Sequence, residues 1–342
     1  MELDFLKKTI QDYFQENTLT IVGSGLSVAE GIPGMSALAD ELKFRLPSYL
    51  AEPQDKNIWE KIDTDLSTGI GLEKALHNTK PSLHIEECIR KTTARLVGEA
   101  EAKVLLRLVR NQRALRFTDY MRHFNIRGNG MVVVTTNYDR LIEYACEYMN
   151  LRVDTLYVGR FLAHFQPEQS KYSFCQSIRK NGGKSSAVFA PKVTVLKPHG
   201  CLSWHMIEGN PYSIPSYPLE DCLIITPGIN KYKEGYSVPF DIHRTRANSE
   251  IDSAQRYIII GYGFGDDHLE THLIQQLNAG KPALILTYSL SETAKMLVKK
   301  CSHITAIVSD GVDGSKVMTA TEEQVFPDIN LWDLKTMLEE VF

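Results

Sequence analysis

Asn137 and His199 are the residues of this chain best suited to acid–base or polar chemistry. An asparagine amide both donates and accepts, so it can hold a hydroxyl or a water. An imidazole has an unperturbed pKa of about 6.5 and suits a general base near neutral pH. Each also has a plainer reading. An asparagine after a strand is usually a turn or helix cap, and a His-Gly pair usually marks a turn. Their company reverses those odds. Asn137 lies in Thr135-Thr136-Asn137-Tyr138-Asp139, where Asp139 can orient a neighbour, and His199 lies in Lys197-Pro198-His199-Gly200. Two glycine segments accompany them. In GSGLSVAEGIPG, Gly23 and Gly25 allow close backbone approach to a pyrophosphate, and the helix start that follows favours negative charge. Ser24 and Ser27 add hydroxyl donors. The second segment, Gly261-Tyr262-Gly263-Phe264-Gly265-Asp266-Asp267-His268, also reads as a tight turn with Asp266 as N-cap.

Each of these segments follows a β-rich run. The runs are Leu19–Val22, Met131–Val134, Val193–Leu196 and Tyr257–Ile260, and helical patterns come between them. Ala283–Thr287 and Ile304–Val308 continue the rhythm, the latter as the last core strand. Ser289 and Glu292 form a capping-box pattern for the helix between these two runs. Strand–helix alternation predicts an α/β fold, a Rossmann-like parallel sheet with helices on both faces, whose ligands bind beyond the carboxyl ends of the strands. Between residues 47 and 127 strand-like runs are missing. Helical patterns such as Ile85–Val97 and Ala102–Phe124 dominate, and Pro47, Pro53 and Pro81 punctuate them. The expected division is therefore a core of residues 1–46 and 128–342 and an all-helical insertion of 47–127. Residues 159–187 read as an irregular excursion or hairpin with a turn at Asn181-Gly182-Gly183. Asn330–Val341 reads as an amphipathic terminal helix.

The chain has 342 residues and a net charge of −4, which as a whole is no nucleic-acid footprint. Ten Lys/Arg against three acids between Arg90 and Arg127 make a solvated basic helix face or a docking surface. Lys103, Arg107 and Arg110 share one side of it. No apolar run approaches the ~20 residues that span a bilayer. The acid-bearing start MELDFLKKTIQDYFQEN lacks the plan of a signal peptide, so a cytoplasmic location is expected. None of the six cysteines forms a CxxC pair, which argues against a zinc ribbon; most are expected as small buried hydrophobes. No His/Asp/Glu set has metal spacing, so no metal is expected. His205, His243 and His268 read as surface or satisfied core groups. Ser24 and Ser27 lack a nucleophile elbow.

Gly23-Ser24-Gly25-Leu26-Ser27 followed by Gly31-Ile32-Pro33 resembles the sirtuin fingerprint GAGxSxxxGIP. Thr135–Asp139 is similar to the sirtuin TQNxD segment, and His199-Gly200 resembles the catalytic HG. The resemblance covers roughly residues 17–35 and 128–310. Two departures stand out. The paired CxxC zinc ligands of sirtuin deacetylases are missing, and Gly34-Met35-Ser36 replaces their Asp-Phe-Arg. The chain looks more like the zinc-free, sirtuin-like NAD⁺ hydrolases of bacterial anti-phage defence, whose GYGFxD segment is similar to Gly261–Asp266.

The resemblance implies that NAD⁺ is the substrate and that the nicotinamide–ribose bond is cleaved. Asn137 and His199 would be catalytic. Gly23, Ser24, Gly25, Ser27, Ile32, Pro33, Asp139, Gly261 and Gly263 would bind the dinucleotide. An NAD-depleting effector needs restraint, so a homo-oligomer is expected, or a partner in trans such as a HerA-like hexameric ATPase or an Argonaute-type protein. The insertion and the terminal helix are the docking candidates, with no membrane contact and no direct nucleic-acid binding expected. Two other readings stay open. A protein deacylase or ADP-ribosyltransferase would consume NAD⁺ only with a co-substrate. A non-catalytic NAD⁺ or ADP-ribose module would bind without turnover.

Overall fold

The β-rich runs pair, despite their separation in sequence, because each is apolar on both sides and has to be covered twice. In the computed structural model, which describes residues 2–110, 113–215, 221–227 and 237–342, they form one nine-stranded sheet. Its strands are β1 (Thr18–Val22), β2 (Met131–Thr135), β3 (Val153–Asp154), β8 (Val193–Leu196), β12 (Arg256–Ile260), β13 (Ala283–Leu286), β14 (Ile304–Asp310), β15 (Gly314–Met318) and β16 (Glu323–Phe326). The spatial order is β16-β15-β14-β13-β12-β1-β2-β8-β3. Pairing is parallel from β3 across to β14. The last two strands return antiparallel, so β14 is not the last strand of the sheet and the sheet is mixed. A short turn can close such an antiparallel return, which leaves no crossover helix in the sequence to announce it.

Side chains alternate across the sheet. Val22, Val133, Val195, Ile258 and Ile260 enter one buried cluster; Ile21, Val134, Leu196, Tyr257 and Ile259 enter the other. The first cluster is covered by α1 (Leu3–Gln11), α2 (Ser24–Glu30), α7 (Arg116–Met121), α8 (Ile126–Asn129), α9 (Leu141–Tyr148) and the terminal helix α13 (Leu334–Val341). The second is covered by α10 (Phe240–Ser253), α11 (Asp267–Asn278) and α12 (Glu292–Lys300). Ser291, not Ser289, caps α12, its hydroxyl accepting from the Ala294 amide. The side chains of Asp267 and His268 lie outside the described set.

Between α2 and β2 run α3 (Met35–Tyr49), α4 (Pro53–Ser67), α5 (Leu72–Asn78) and α6 (Leu83–Val109), packed round a separate apolar cluster that includes Leu42, Trp59, Leu76 and Ile89. Pro47 lies inside the last turn of α3, whereas Pro53 opens α4, where its missing N–H costs nothing. The helix expected over Ala102–Phe124 is two helices, α6 and α7, with residues 111–112 outside the description.

After β3 the chain leaves the main sheet. It builds a smaller antiparallel sheet from β4 (Tyr157–Val158), β5 (Ala163–Phe165), β9 (Gly200–Ile207), β10 (Asn210–Ser213) and β11 (Cys222–Ile224), in the order β11-β9-β10-β5-β4. A third, two-stranded ribbon, β6 (Cys175–Asn181) with β7 (Lys184–Phe189), turns at Gly182-Gly183, both at positive φ. That geometry matches a two-residue type I′ hairpin, for which glycine is suited. Five cysteines are buried; Cys175, at the foot of this ribbon, is exposed.

Candidate active site

Four adjacent strands, β12, β1, β2 and β8, end beside one another. Chain order reverses direction about β1, with β2 on one side and β12 on the other. Such a switch point opens a crevice at the carboxyl ends of an α/β sheet. A cavity of about 320 Å³ lies there. Asn137, His199, Gly23, Ser24, Ser27, Ile32, Pro33, Asp139 and Gly263 all line it, so the four separated segments meet at one place. Gly25 and Gly261 do not line it.

Those two glycines have a different task. A Cβ on Gly25 would lie 2.7 Å from Gly261 Cα, and one on Gly261, which sits at φ +58°, would lie 2.6 Å from Gly25 Cα. Gly23 likewise leaves room for Gly261 and Tyr262. The loops after β1 and β12 therefore interlock backbone to backbone. The Gly23 amide donates to the Ile260 carbonyl at 2.9 Å and the Gly25 amide to the Gly261 carbonyl at 3.0 Å. The amides of these glycines are thus bonded within the protein, and what they leave open to a ligand is close approach of the backbone rather than their own N–H groups. Ser24, exposed between them, is the residue of this turn that faces outward with a hydroxyl.

Asn137 is buried and its orientation is fixed. Its side-chain amide donates to the Gly23 carbonyl at 2.9 Å and to Ser27 Oγ at 2.8 Å; its backbone amide donates to Thr135 Oγ1 at 3.1 Å. Both amide protons are spent, which leaves the amide oxygen as the group Asn137 can offer to the cavity. The Ser27 hydroxyl lies beside the Asp139 carboxyl and favours its charged form. Burial pushes the Asp139 pKa up, while Lys197 and the Ser27 hydroxyl act against that shift. Asp139 also caps the turn, accepting from the Leu141 amide at 3.2 Å.

His199 stands on the turn between β8 and β9. Gly200 makes that turn possible, with φ at +89° and a Cβ position only 2.1 Å from the Leu223 carbonyl oxygen. His199 Nε2 bonds to Asp266 Oδ2, and both side chains are largely buried. Asp266 is set by a reciprocal cap: its amide donates to Glu270 Oε1 at 2.6 Å and its Oδ1 receives the Leu269 amide at 3.4 Å. The cap and the histidine partner are one residue. The sequence pointed only to the cap, although an aspartate directly after a glycine turn on a neighbouring strand was the available signal for the partner.

Beneath the site Lys197 is wholly buried, its Nζ donating to the Asp139 carbonyl and to Glu143 Oε1, the latter at 2.9 Å. Burial opposes its charge, but the negative groups around it, Glu143 and Asp139 among them, hold its pKa above that of a free lysine. Its backbone amide donates to His243 Nδ1 at 3.2 Å. His243 is itself buried against Trp204, and burial pulls its pKa down to about 3, so it is a neutral core group.

The helical segment contributes too. Met35, Leu38, Glu73, Thr93, Leu96 and Val97 form one wall of the cavity. Buried Glu101 on α6 binds Arg140, which follows the Asn137 turn, with Nε to Oε1 at 2.8 Å. Arg116 and Arg107 bind Glu30 and its carbonyl on α2. The wall is thus pinned to both loops that carry the polar residues, a role that the helical periodicity of the segment could not reveal.

Comparison with solved structures finds sirtuins over almost the whole chain, at low identity. The structural basis of sirtuin substrate affinity is the subject of one, 14% identical, with a TM-score of 0.45 and coverage of 100% of this chain and 98% of the other. A second concerns the mechanism and regulation of Sir2 enzymes, at 10% identity, TM-score 0.43 and coverage of 99% and 97%. A third is a Sir2 complex with a peptide and NAD⁺, at 12% identity, TM-score 0.43 and coverage of 100% and 97%. No curated protein matches the chain by sequence. The profile of the SIR2-like domain matches residues 131–304, a span over half of the 342 residues that contains Asn137, His199 and Asp266, and the chain belongs to the SIR2-like family.

Proposed function

We propose that this protein hydrolyses NAD⁺ at the nicotinamide–ribose bond, giving nicotinamide and ADP-ribose. The observation that carries the reading is the meeting of a fixed, buried Asn137 and an Asp266-paired His199 in one cavity at the switch point of the sheet. Cleavage moves the C–N electron pair to nicotinamide and leaves an oxocarbenium-like ribose carbon. Water forms the new C–O bond there and gives up a proton. The Asn137 amide oxygen accepts from that water or from a ribose hydroxyl and fixes its place. With Nε2 held by Asp266, the other ring nitrogen of His199 takes the proton, and the carboxylate stabilises the imidazolium that results. Ser27, beside Asp139, holds Asn137 in register. Ser24, Ile32, Pro33 and Gly263 line the space for the rest of the dinucleotide.

The division into a dinucleotide-binding core, residues 1–46 and 128–342, and an insertion, 47–127, belongs to the same reading, with the insertion walling the substrate in. Among the described residues no helix is long and apolar enough to cross a membrane. The biological role that fits is an NAD-depleting effector of anti-phage defence in the cytoplasm, restrained by self-association or by a trans partner such as a HerA-like ATPase or an Argonaute-type protein. The test is NAD⁺ consumption by the purified protein, alone and assembled with co-purifying subunits, with nicotinamide and ADP-ribose quantified. Equimolar release of both, lost in Asn137→Ala and His199→Ala, is expected. Turnover surviving both substitutions overturns the mechanism. Consumption that requires an acylated peptide overturns hydrolysis in favour of deacylation.

A further inference from the structure

Two stretches of the chain are rich in basic residues, and the structure treats them oppositely. The run from Arg90 to Arg127 is largely consumed inside the protein. Arg90 donates to the Cys222 carbonyl, Arg95 to Tyr49, Arg107 to the Glu30 carbonyl and Arg127 to the Met149 carbonyl; Arg116 binds Glu30 and Asp333, and Arg122 binds Asp119. Apart from the local Arg122–Asp119 pair, these are anchors between elements. Residues 170–192 hold five further cations, Lys171, Arg179, Lys180, Lys184 and Lys192, and no acid. Lys192 is paired with Asp154. Among the described residues, Arg179, Lys180 and Lys184 have no ion-pair partner, and all three stand on the β6–β7 ribbon, whose residues are exposed almost throughout.

The pairing register fixes where the charges point. Ile178 faces Ala187, Arg179 faces Ser186, Lys180 faces Ser185 and Asn181 faces Lys184. Successive pairs alternate between the two faces of the ribbon. Lys180 therefore lies on one face, and Arg179 and Lys184 on the other. The cross-strand neighbours of Arg179 and Lys180 are serines, so the ribbon is thin where its charge is highest. At the foot stand exposed Tyr172 and Phe189, ring centroids 6.2 Å apart, with Lys171 Nζ 5.1 Å from the Tyr172 ring.

We propose that the β6–β7 ribbon is a nucleic-acid-binding arm that engages the phosphate backbone of a duplex. A two-stranded ribbon fits the major groove, about 12 Å wide. Basic charge on both faces suits insertion between two phosphate walls; docking on a flat acidic protein surface would use one face only. Contacts made by lysine and arginine with serine between them position on phosphates without reading sequence. The net charge of −4 concealed this arm, because the acids lie elsewhere in the chain. The proposal departs from the expectation of no nucleic-acid contact, and it does not depend on the reading of the cavity.

The test uses the full chain and a fluorescent 20-base-pair DNA duplex, titrated by anisotropy across a salt series. Arg179→Ser/Lys180→Ser/Lys184→Ser is compared with Lys103→Ser/Arg110→Ser/Arg113→Ser, which changes net charge equally at exposed positions elsewhere. Wild type and the second triple variant are expected to bind alike. The ribbon variant is expected to bind at least tenfold more weakly, with a log–log salt slope shallower by up to about 2.7, at roughly 0.9 per lost phosphate contact. Absence of wild-type binding at low salt, or equal loss in both variants, overturns the proposal. So does ribbon-dependent binding of polyglutamate as tight as that of the duplex, which would assign the arm to an acidic protein. A change of oligomeric state in the ribbon variant without a change in duplex binding would assign it to contacts between copies.

Discussion

The two ends of the main sheet carry two openings, and the larger one is the poorer candidate for chemistry. At the amino ends of β1 and β2 a crevice of about 450 Å³ is lined by residues such as Phe14, Glu16, Phe124, Asn129 and Glu250. It is the outer seam of an aromatic cluster, in which Phe14 packs 5.4 Å from Tyr120, 5.0 Å from Phe124 and 4.9 Å from Phe342, ring to ring. The smaller cavity at the carboxyl ends has buried Asn137 bonded to buried Ser27, with buried Asp139 next to them, beside His199 and Asp266. Buried polar groups are costly unless paired, so a chain that keeps several in one pocket has paired them for a reason other than stability. Volume marks where packing stops, whereas oriented polar groups mark where chemistry is possible.

The largest expected effect separates the two ends directly. His199→Ala is expected to lower turnover of NAD⁺ by about 10²–10⁴, the range for loss of a general base, and to cost about 1–3 kcal/mol of stability with the fold retained, since the buried Asp266 carboxylate loses its partner. Asn137→Ala is expected to lose turnover as well, and in addition about 1–3 kcal/mol of stability, since the Gly23 carbonyl and Ser27 lose their donor. Steady-state kinetics with urea unfolding on the same samples reads both. If His199→Ala unfolded the protein and left the specific activity of the folded fraction intact, the carboxyl-end cavity would be only a structural seam like its counterpart.

The interlocked glycines come next. Gly261→Ala places a methyl against Gly25 at a positive φ and is expected to cost about 2–4 kcal/mol from left-handed strain and overpacking together. It should also raise the KM for NAD⁺, because the loops after β1 and β12 are displaced. Gly280→Ala is the control, since that residue has φ +103° and nothing within 4 Å of its Cβ position. It should cost only about 1–2 kcal/mol and leave KM alone. Equal behaviour of the two variants would mean that the close approach of the loops contributes nothing to the site.

Strand ends and glycine turns were legible in the sequence because they are local: an apolar run, a change of texture, a polar segment. Asn137 and His199 could be singled out by type and place. The partner of His199 could not, since Asp266 lies 67 residues further on and is brought alongside only by the parallel order β12-β1-β2-β8. The cavity wall from α3, α5 and α6 was hidden for the same reason; Glu73 and Leu96 belong to helices whose periodicity reports their own core. The small sheet was also missed, because its longest strand, β9, follows the His199 turn directly and has no separate signal. Gly25 was read as a ligand contact, and the accommodation of Gly261 by its missing side chain was not foreseen. Local pattern specifies that a glycine is needed and not what it is needed for.

His243, under the carboxyl-end site, gives a smaller and pH-dependent effect. Its native pKa is about 3, and that of an unfolded histidine is about 6.5. Above pH 6.5 it is neutral in both states. Between about pH 6.5 and 3 the unfolded chain binds a proton that the native state refuses, so stability falls as pH falls, by at most about 1.4 kcal/mol per unit. From pH 6.5 to 5 the loss is about 2 kcal/mol. His243→Phe removes this slope but leaves the Lys197 amide without its acceptor, so the variant should be the less stable at pH 8 and the gap should close on acidification. Losses from carboxylates are common to both proteins and cancel in the difference. A gap that stayed constant from pH 8 to 5 would show His243 charged in the native state.

The smallest effect belongs to the other half of the molecule. Tyr120 Oη and Thr20 Oγ1 share one hydrogen bond of 2.7 Å inside the core, and both residues are fully buried. Tyr120→Phe leaves the Thr20 hydroxyl dry and unpaired, at an expected cost of about 1–2 kcal/mol; Thr20→Val with Tyr120→Phe removes both partners and should recover much of it. Neither residue lines the carboxyl-end cavity, so kcat and KM should stay at wild-type values in both variants. This outcome would contrast with His199→Ala, in which chemistry is lost, because here stability changes and chemistry is untouched. Strand β1 is what makes the pair informative, because it runs from Thr18 beside the crevice to Val22 just before Gly23. A turnover loss in Tyr120→Phe that Thr20→Val restored would mean that packing inside the sheet sets the position of the glycine turn, and the two ends would then have to be treated as one coupled unit.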